Sequence, residues 1–154
     1  MALAKHILVA TDFSDGAADA VRAGADLAAA AGAKVTLFHA IDPDPLVPPG
    51  AIPNPAGFRE KIVAELEGVV RKNLDEIAAE HYADVSEVNQ IIAQAASAPN
   101  AICEAAKDIG ADLIVIATHG RTGLAHMLIG SVAERVVRHA PCAVLTVRAQ
   151  PLDD

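Results

Sequence analysis

At 154 residues the chain has the length of one domain, long enough to bury roughly 68 to 70% of its unfolded-chain surface. A formal charge of -8 and a pI near 5.1 argue against a broad electrostatic attraction to nucleic acid or to an anionic membrane surface. Apolar residues make up 53%, yet only 3% are aromatic and alanine alone supplies 34 positions, a composition that suits helices lying close on a sheet and argues against stacking-based recognition of RNA or flavin. No apolar run approaches the ~20 residues of a membrane span, and the first six residues lack the apolar segment of a signal peptide, so a cytoplasmic location is expected. Cys103 in a helical pattern and Cys142 at a strand start read as buried reduced thiols, and the six histidines lack ligand spacing, so no dedicated metal set is expected.

In chain order, Ile7 to Ala10 reads as a short buried strand, and Thr11-Asp-Phe-Ser-Asp15 as a turn from which Ser14 or Asp15 caps a helix running to about Ala31. Gly32 stands where a C-terminal cap glycine belongs. Val35 to Ile41 is the second strand. From Asp42 to Gly57 six of the nine prolines cluster, and that density of missing N–H donors leaves a surface loop beside the strand ends, readable as a lid or as a passive connection. Phe58, Ile62, Leu66, Val69, Val70, Leu74 and Ile77 then recur at helical spacing as the core face of a long helix. Val85 to Ala93 reads as a polar edge strand. Pro99 opens a helix that reaches Asp108 and ends at Gly110, Asp112 to Ile116 is the fourth strand, Ser131 to His139 the fourth helix, and Ala143 to Val147 the last strand. Strands alternating with helices imply an α/β fold, a mostly parallel sheet with helices on both faces. No second domain is visible, so residues 1–154 read as a single one.

Two stretches carry chemistry. After the fourth strand come Gly120, Gly123 and Gly130 and then Ser131-Val-Ala-Glu134, an S-x-x-E capping box that makes Ser131 the expected cap. Glycines admit an anion close to the backbone, and a helix N-terminus offers unpaired N–H groups with about half a positive charge, so this stretch reads as a phosphate cradle as well as a turn. Neither G-x-x-x-x-G-K-[ST] nor G-x-G-x-x-G is present. Asp12, just past the first strand, reads either as an Asx turn or as a ligand-facing carboxylate, because open parallel sheets bind ligands beyond their strand ends at the point where strand order reverses.

Ala117-Thr-His-Gly120 followed by Gly130-Ser131-Val-Ala-Glu-Arg-Val-Val-Arg-His-Ala-Pro-Cys-Ala-Val-Leu-Thr-Val147 resembles the C-terminal signature of the universal stress protein family. Ile7-Leu-Val-Ala-Thr-Asp-Phe-Ser14 resembles the N-terminal one. The resemblance implies strand order 3-2-1-4-5, the Rossmann-like fold of adenine nucleotide alpha hydrolases, and a homodimer formed through the last strand. It also implies a cytoplasmic stress-response regulator or switch that holds ATP or a related adenine nucleotide between strands one and four. Carried over by position, Ala10, Thr11 and Asp12 would line the adenosine side and the backbone around Ala40 would meet the base. Ile116, Ala117, Gly120, Arg121, Gly130, Ser131 and Val132 would line ribose and phosphates. Asp12 is placed to bond a ribose hydroxyl or a water on Mg2+. Nucleotide-binding members carry G-x-x-G before the second part of the motif. Here Ala117 replaces the first glycine, and its extra methyl is fatal only if the position needs a positive φ or direct backbone contact.

Two alternatives stand beside this reading, a nucleotide-independent dimeric interaction module, which the substitution at Ala117 favours, and a weak ATPase. His119, Asp12 and Ser131 resemble a nucleophilic set, but no G-x-S-x-G elbow is present and a cap explains Ser131 better, so no catalytic residues are expected.

Overall fold

The computed structural model describes residues 4–43, 57–119 and 129–148. Its elements are β1 (His6–Ala10), α1 (Asp15–Ala31), β2 (Lys34–Ile41), α2 (Phe58–His81), β3 (Val88–Gln94), α3 (Ala98–Asp108), β4 (Leu113–Ala117), α4 (Ser131–His139) and β5 (Ala143–Val147). The strands form one sheet, parallel throughout, in the order β3-β2-β1-β4-β5. The chain winds outward from β1 through β2 to β3, and α3 returns it across the sheet to β4 on the other side of β1. Strand order therefore reverses between β1 and β4.

Period-two alternation divides the core between the two faces of the sheet. Ile7 and Val9 of β1 join Val35 and Leu37 of β2 under α1 and α2, while Leu8 and Ala10 join Phe38, Ile114 and Ile116 under α3 and α4. All five residues of β1 are buried, as the central strand of a doubly covered sheet must be. The helices end as their glycines dictate: Gly32 and Gly110 both adopt φ 63°, and the residues after them, Ala33 and Ala111, donate back to the Ala28 and Ala106 carbonyls.

Three expectations need correction. The third strand begins at Val88 and not at Val85, because the Val85 N–H closes a turn onto the Tyr82 carbonyl. The fourth strand is shifted by one residue, and Asp112 instead lends its carboxylate to the N–H groups of Lys5 and His6, which hold it below the usual carboxylate range. On α2, Phe58 and Val69 are 52% and 57% exposed, and the buried positions are Val63, Val70 and Leu74. That helix packs on β3, β2 and α1 along a narrow stripe, so part of its apolar face has no partner within the described residues. Of the proline-rich stretch 42–57, residues 44–56 lie outside the described residues.

His6 is buried at the opposite end of β1 from the crevice described below. Its Nε2 lies 2.8 Å from Thr36 Oγ1 and its Nδ1 3.2 Å from the Ile109 carbonyl oxygen. A neutral ring satisfies both, with Nδ1–H donating to the carbonyl and Nε2 accepting from the hydroxyl. Burial first, and the Lys34 charge second, depress its pKa below 6.5. As pH falls through about 6.5 the unfolded chain therefore takes up this proton before the folded one, and stability drops until the folded-state pKa is reached. The urea midpoint should be lower at pH 5.5 than at pH 7.5, and His6→Gln should flatten part of that dependence; an unchanged slope would remove His6 from the account.

Candidate functional site

The turn leaving β1 is tied down at every residue. Thr11 N–H donates to the Phe38 carbonyl at 3.0 Å, one step beyond the Ala10 and Phe38 register. Asp12 Oδ1 accepts the Ser14 N–H at 3.0 Å and the Ser14 hydroxyl, and Ser14 Oγ in turn accepts the Ala17 N–H at 3.3 Å as the N-cap of α1. The Asx turn and the crevice-facing position of Asp12 thus coexist. Phe13, between them, has φ 62°, a left-handed conformation that costs a bulky residue roughly 1–2 kcal/mol. It is held there by its N–H on Thr11 Oγ1 at 3.1 Å and by stacking on His39, with ring centroids 4.6 Å apart.

Across the sheet, Thr118 N–H donates to the Val147 carbonyl at 2.9 Å, and the Thr118 carbonyl accepts the Gly130 N–H at 2.5 Å. The start of α4 is thereby pinned to the end of β4. Gly130 is the N-cap, with φ -74° and ψ 160°, and Ser131 is the first helical residue. The capping box expected of Ser131 and Glu134 does not form. Once Gly130 is anchored to Thr118 the helix starts with Ser131 already inside it, and Glu134 instead pairs with Arg138 at 2.8 Å. Ala117 lies in regular strand conformation, opposite Val147 in the ladder. Among the described residues the left-handed region holds one non-glycine residue, Phe13, so the backbone at Ala117 accepts a methyl without strain.

These two ends border a crevice, open to solvent, at the carboxyl edge of the sheet where strand order reverses. Ala10, Thr11 and Asp12 line one wall, Ala40 another, and Ile116, Ala117, Gly130, Ser131 and Val132 the third. Gly120 and Arg121 lie outside the described residues. The lining also takes in His119, weighed above with Asp12 and Ser131, and residues that spacing alone did not single out, namely Phe38, His39, Thr118, Ala98, Ile102, Ala17 and Ala133. His39 reads in sequence as one more residue of an apolar strand, and only the closeness of β2 to the β1 turn brings it here. His119 stood inside the motif between strand and glycine, which was the available signal; its Nδ1 meets Thr118 Oγ1 at 2.9 Å.

The first turns of α3 and α4 both border the crevice, and neither has a side-chain cap. The N–H groups of Ser131, Val132 and Ala133 lack intrahelical acceptors at that position, which makes α4 the electropositive end of the site. Among the described residues no group of three or more His, Cys, Asp and Glu could hold a metal ion, and no helix is long and apolar enough to cross a membrane.

An all-parallel 3-2-1-4-5 sheet with a helix N-terminus lacking a side-chain cap at its switch point defines a doubly wound α/β protein with a crevice at that point. The universal stress protein family model matches residues 4–148, and the chain belongs to that family. A universal stress protein of Methanocaldococcus jannaschii is 34% identical over 154 residues, covering 95% of this chain and 83% of that protein. The solved structure of hypothetical protein MJ0577 matches with a TM-score of 0.82 at 27% identity, over 97% of this chain and 99% of that one. The universal stress protein from Archaeoglobus fulgidus, solved in complex with dAMP, shares the fold with a TM-score of 0.61 at 22% identity, over 95% and 98% of the two chains.

Proposed function

We propose that this chain is a cytoplasmic, single-domain regulator that holds an adenine nucleotide, ATP with Mg2+ foremost, in the crevice between β1 and β4. The observation that carries the reading is convergence: every residue assigned to the ligand that the structure describes, Asp12 and the start of α4 included, lines one cavity. A protein of the same family and fold has been solved with dAMP. In this reading the Ser131, Val132 and Ala133 amides take phosphate oxygens, and the Ala40 strand edge meets the base. Asp12 takes a ribose hydroxyl or a metal-bound water, since a divalent cation would be held mainly by the nucleotide's own phosphates. Ala117 supports it too, because its strand conformation removes one of the two objections to a methyl there. A chain whose Asp12 carboxylate is engaged by Ser14, and whose Ser131 begins a helix, is read as a binder and not a hydrolase. Freshly purified protein should yield adenine nucleotide on extraction, and calorimetric titration with Mg-ATP should show saturable binding without release of phosphate. Failure of Mg-ATP, ADP and AMP alike to bind would end the nucleotide reading.

The protein is further proposed to dimerise through β5. That strand is the sheet edge beyond β4, and Leu145 on it is 37% exposed. The Val147 carbonyl accepts from Thr118 and so faces β4; the peptide groups of the preceding residue, Thr146, therefore point to the open edge. Thr146→Pro deletes an outward N–H and should convert a dimer at micromolar concentration to monomer by sedimentation. A wild-type monomer at that concentration would reject the arrangement.

A further inference from the structure

We propose that His39 is a positioning residue of the crevice, clamping the β1–α1 turn so that the Asp12 carboxylate is presented to the ligand. The proposal takes its ligand from the nucleotide reading above; its geometry stands without it. His39 follows Phe38, the last β2 residue in register with β1, and its ring reaches over the turn that begins where β1 ends. Nδ1–H donates to the Thr11 carbonyl at 2.8 Å, which fixes the peptide entering Asp12. The ring face stacks on Phe13 at 4.6 Å and 29°, which fixes the residue leaving Asp12 in its left-handed conformation. Asp12 is thus held from both neighbours by one side chain.

Burial sharpens the point. His39 is only 7% exposed, and its neighbours at alternate positions of β2, Val35, Leu37 and Ile41, are all buried apolar residues. Leucine or phenylalanine would fill such a place without a polar group to satisfy, so an imidazole there needs a use for its N–H. The bond to Thr11 supplies that use, and it lies at the wall of the crevice.

The test separates clamping from packing. His39→Phe keeps an aromatic ring for Phe13 and removes the N–H; His39→Gln keeps an amide donor and removes the ring, and serves if the first variant folds poorly. Amide hydrogen exchange of Phe13 and Ser14 should accelerate at least tenfold in either variant while the amides of α3 keep their protection; unchanged protection at Phe13 and Ser14 would overturn the proposal. Calorimetry then reads the consequence. His39→Phe should weaken Mg-ATP on the order of tenfold, and adding it to Asp12→Ala should cost nothing further, because both act through one carboxylate. Additive losses would overturn it as well, since His39 would then act independently of Asp12. If the wild type binds no nucleotide, that failure belongs to the proposed function, and the exchange measurement alone decides the clamp.

Discussion

Gly130→Val should abolish Mg-ATP binding, and even Gly130→Ala should weaken it about tenfold or more, with the far-ultraviolet circular dichroism nearly unchanged in both. The reason is contact and not conformation: φ -74° and ψ 160° suit any residue, but a Cβ at this position would stand 2.8 Å from the Thr118 carbonyl oxygen. That oxygen is backbone, and Thr118 is itself bonded to the Val147 carbonyl, so it cannot step aside cheaply. The first turn of α4 has to move instead, and it carries the Ser131 and Val132 amides with it. A displacement of that kind costs about 1–3 kcal/mol as overpacking and lowers Tm by roughly 2–4 °C per kcal/mol, yet it misplaces the groups a phosphate would bind. Wild-type affinity in Gly130→Ala would reduce this glycine to an ordinary turn residue and remove the cradle from the nucleotide reading.

Much of the fold is legible in the sequence, for identifiable reasons. Short apolar runs ending in turn residues locate β1, β4 and β5 to within a residue, and Ser14, Gly32, Pro99 and Gly110 punctuate α1 and α3 where the structure puts their ends. These signals are local, so local reasoning finds them. Strand order is not local. Alternating strands and helices imply parallel pairing without saying which strands neighbour, and the order 3-2-1-4-5 came only with the family resemblance.

The site divides along the same line. Asp12, Gly130 and Ser131 sit in turns whose residue types announce them, whereas His39 and Phe13 matter because β2 passes beside the β1 turn, a contact between elements. Ser131 illustrates the opposite failure: the S-x-x-E motif is a valid local signal for a cap, and the long-range bond from Gly130 to Thr118 overrides it. On α2, periodicity identified the helix and roughly its inner face. How much of that face a neighbour covers is a property of the neighbour, and Phe58 and Val69 remain exposed.

Two glycines in helices make the same distinction measurable, because Gly24→Val and Gly68→Ala are expected to move stability in opposite directions. In sequence both are helix-interior glycines, each weakening its helix by roughly 0.5–1 kcal/mol relative to alanine. In the structure Gly24 faces the sheet: an added Cβ would lie 2.6 Å from Val9 Cγ2 and 3.1 Å from the Tyr82 hydroxyl oxygen. Neither neighbour yields readily. Val9 is fully buried in the central strand, and Tyr82, buried enough that its hydroxyl ionises only well above its usual range, donates to the Val21 carbonyl at 2.7 Å. Gly24 therefore sets how closely α1 lies on β1, and valine there should cost about 3 kcal/mol, a fall in Tm of roughly 6–12 °C. Gly68 is on the exposed side of α2 with nothing within 4 Å of a new Cβ, so Gly68→Ala should stabilise by up to ~1 kcal/mol. Thermal melts of the two variants beside wild type decide the matter, and a Gly24→Val midpoint unchanged from wild type would mean that α1 can lift from the sheet without loss. Since α1 begins at the Ser14 cap and brings Ala17 to the wall of the crevice, a lifted helix should also loosen the Asp12 turn.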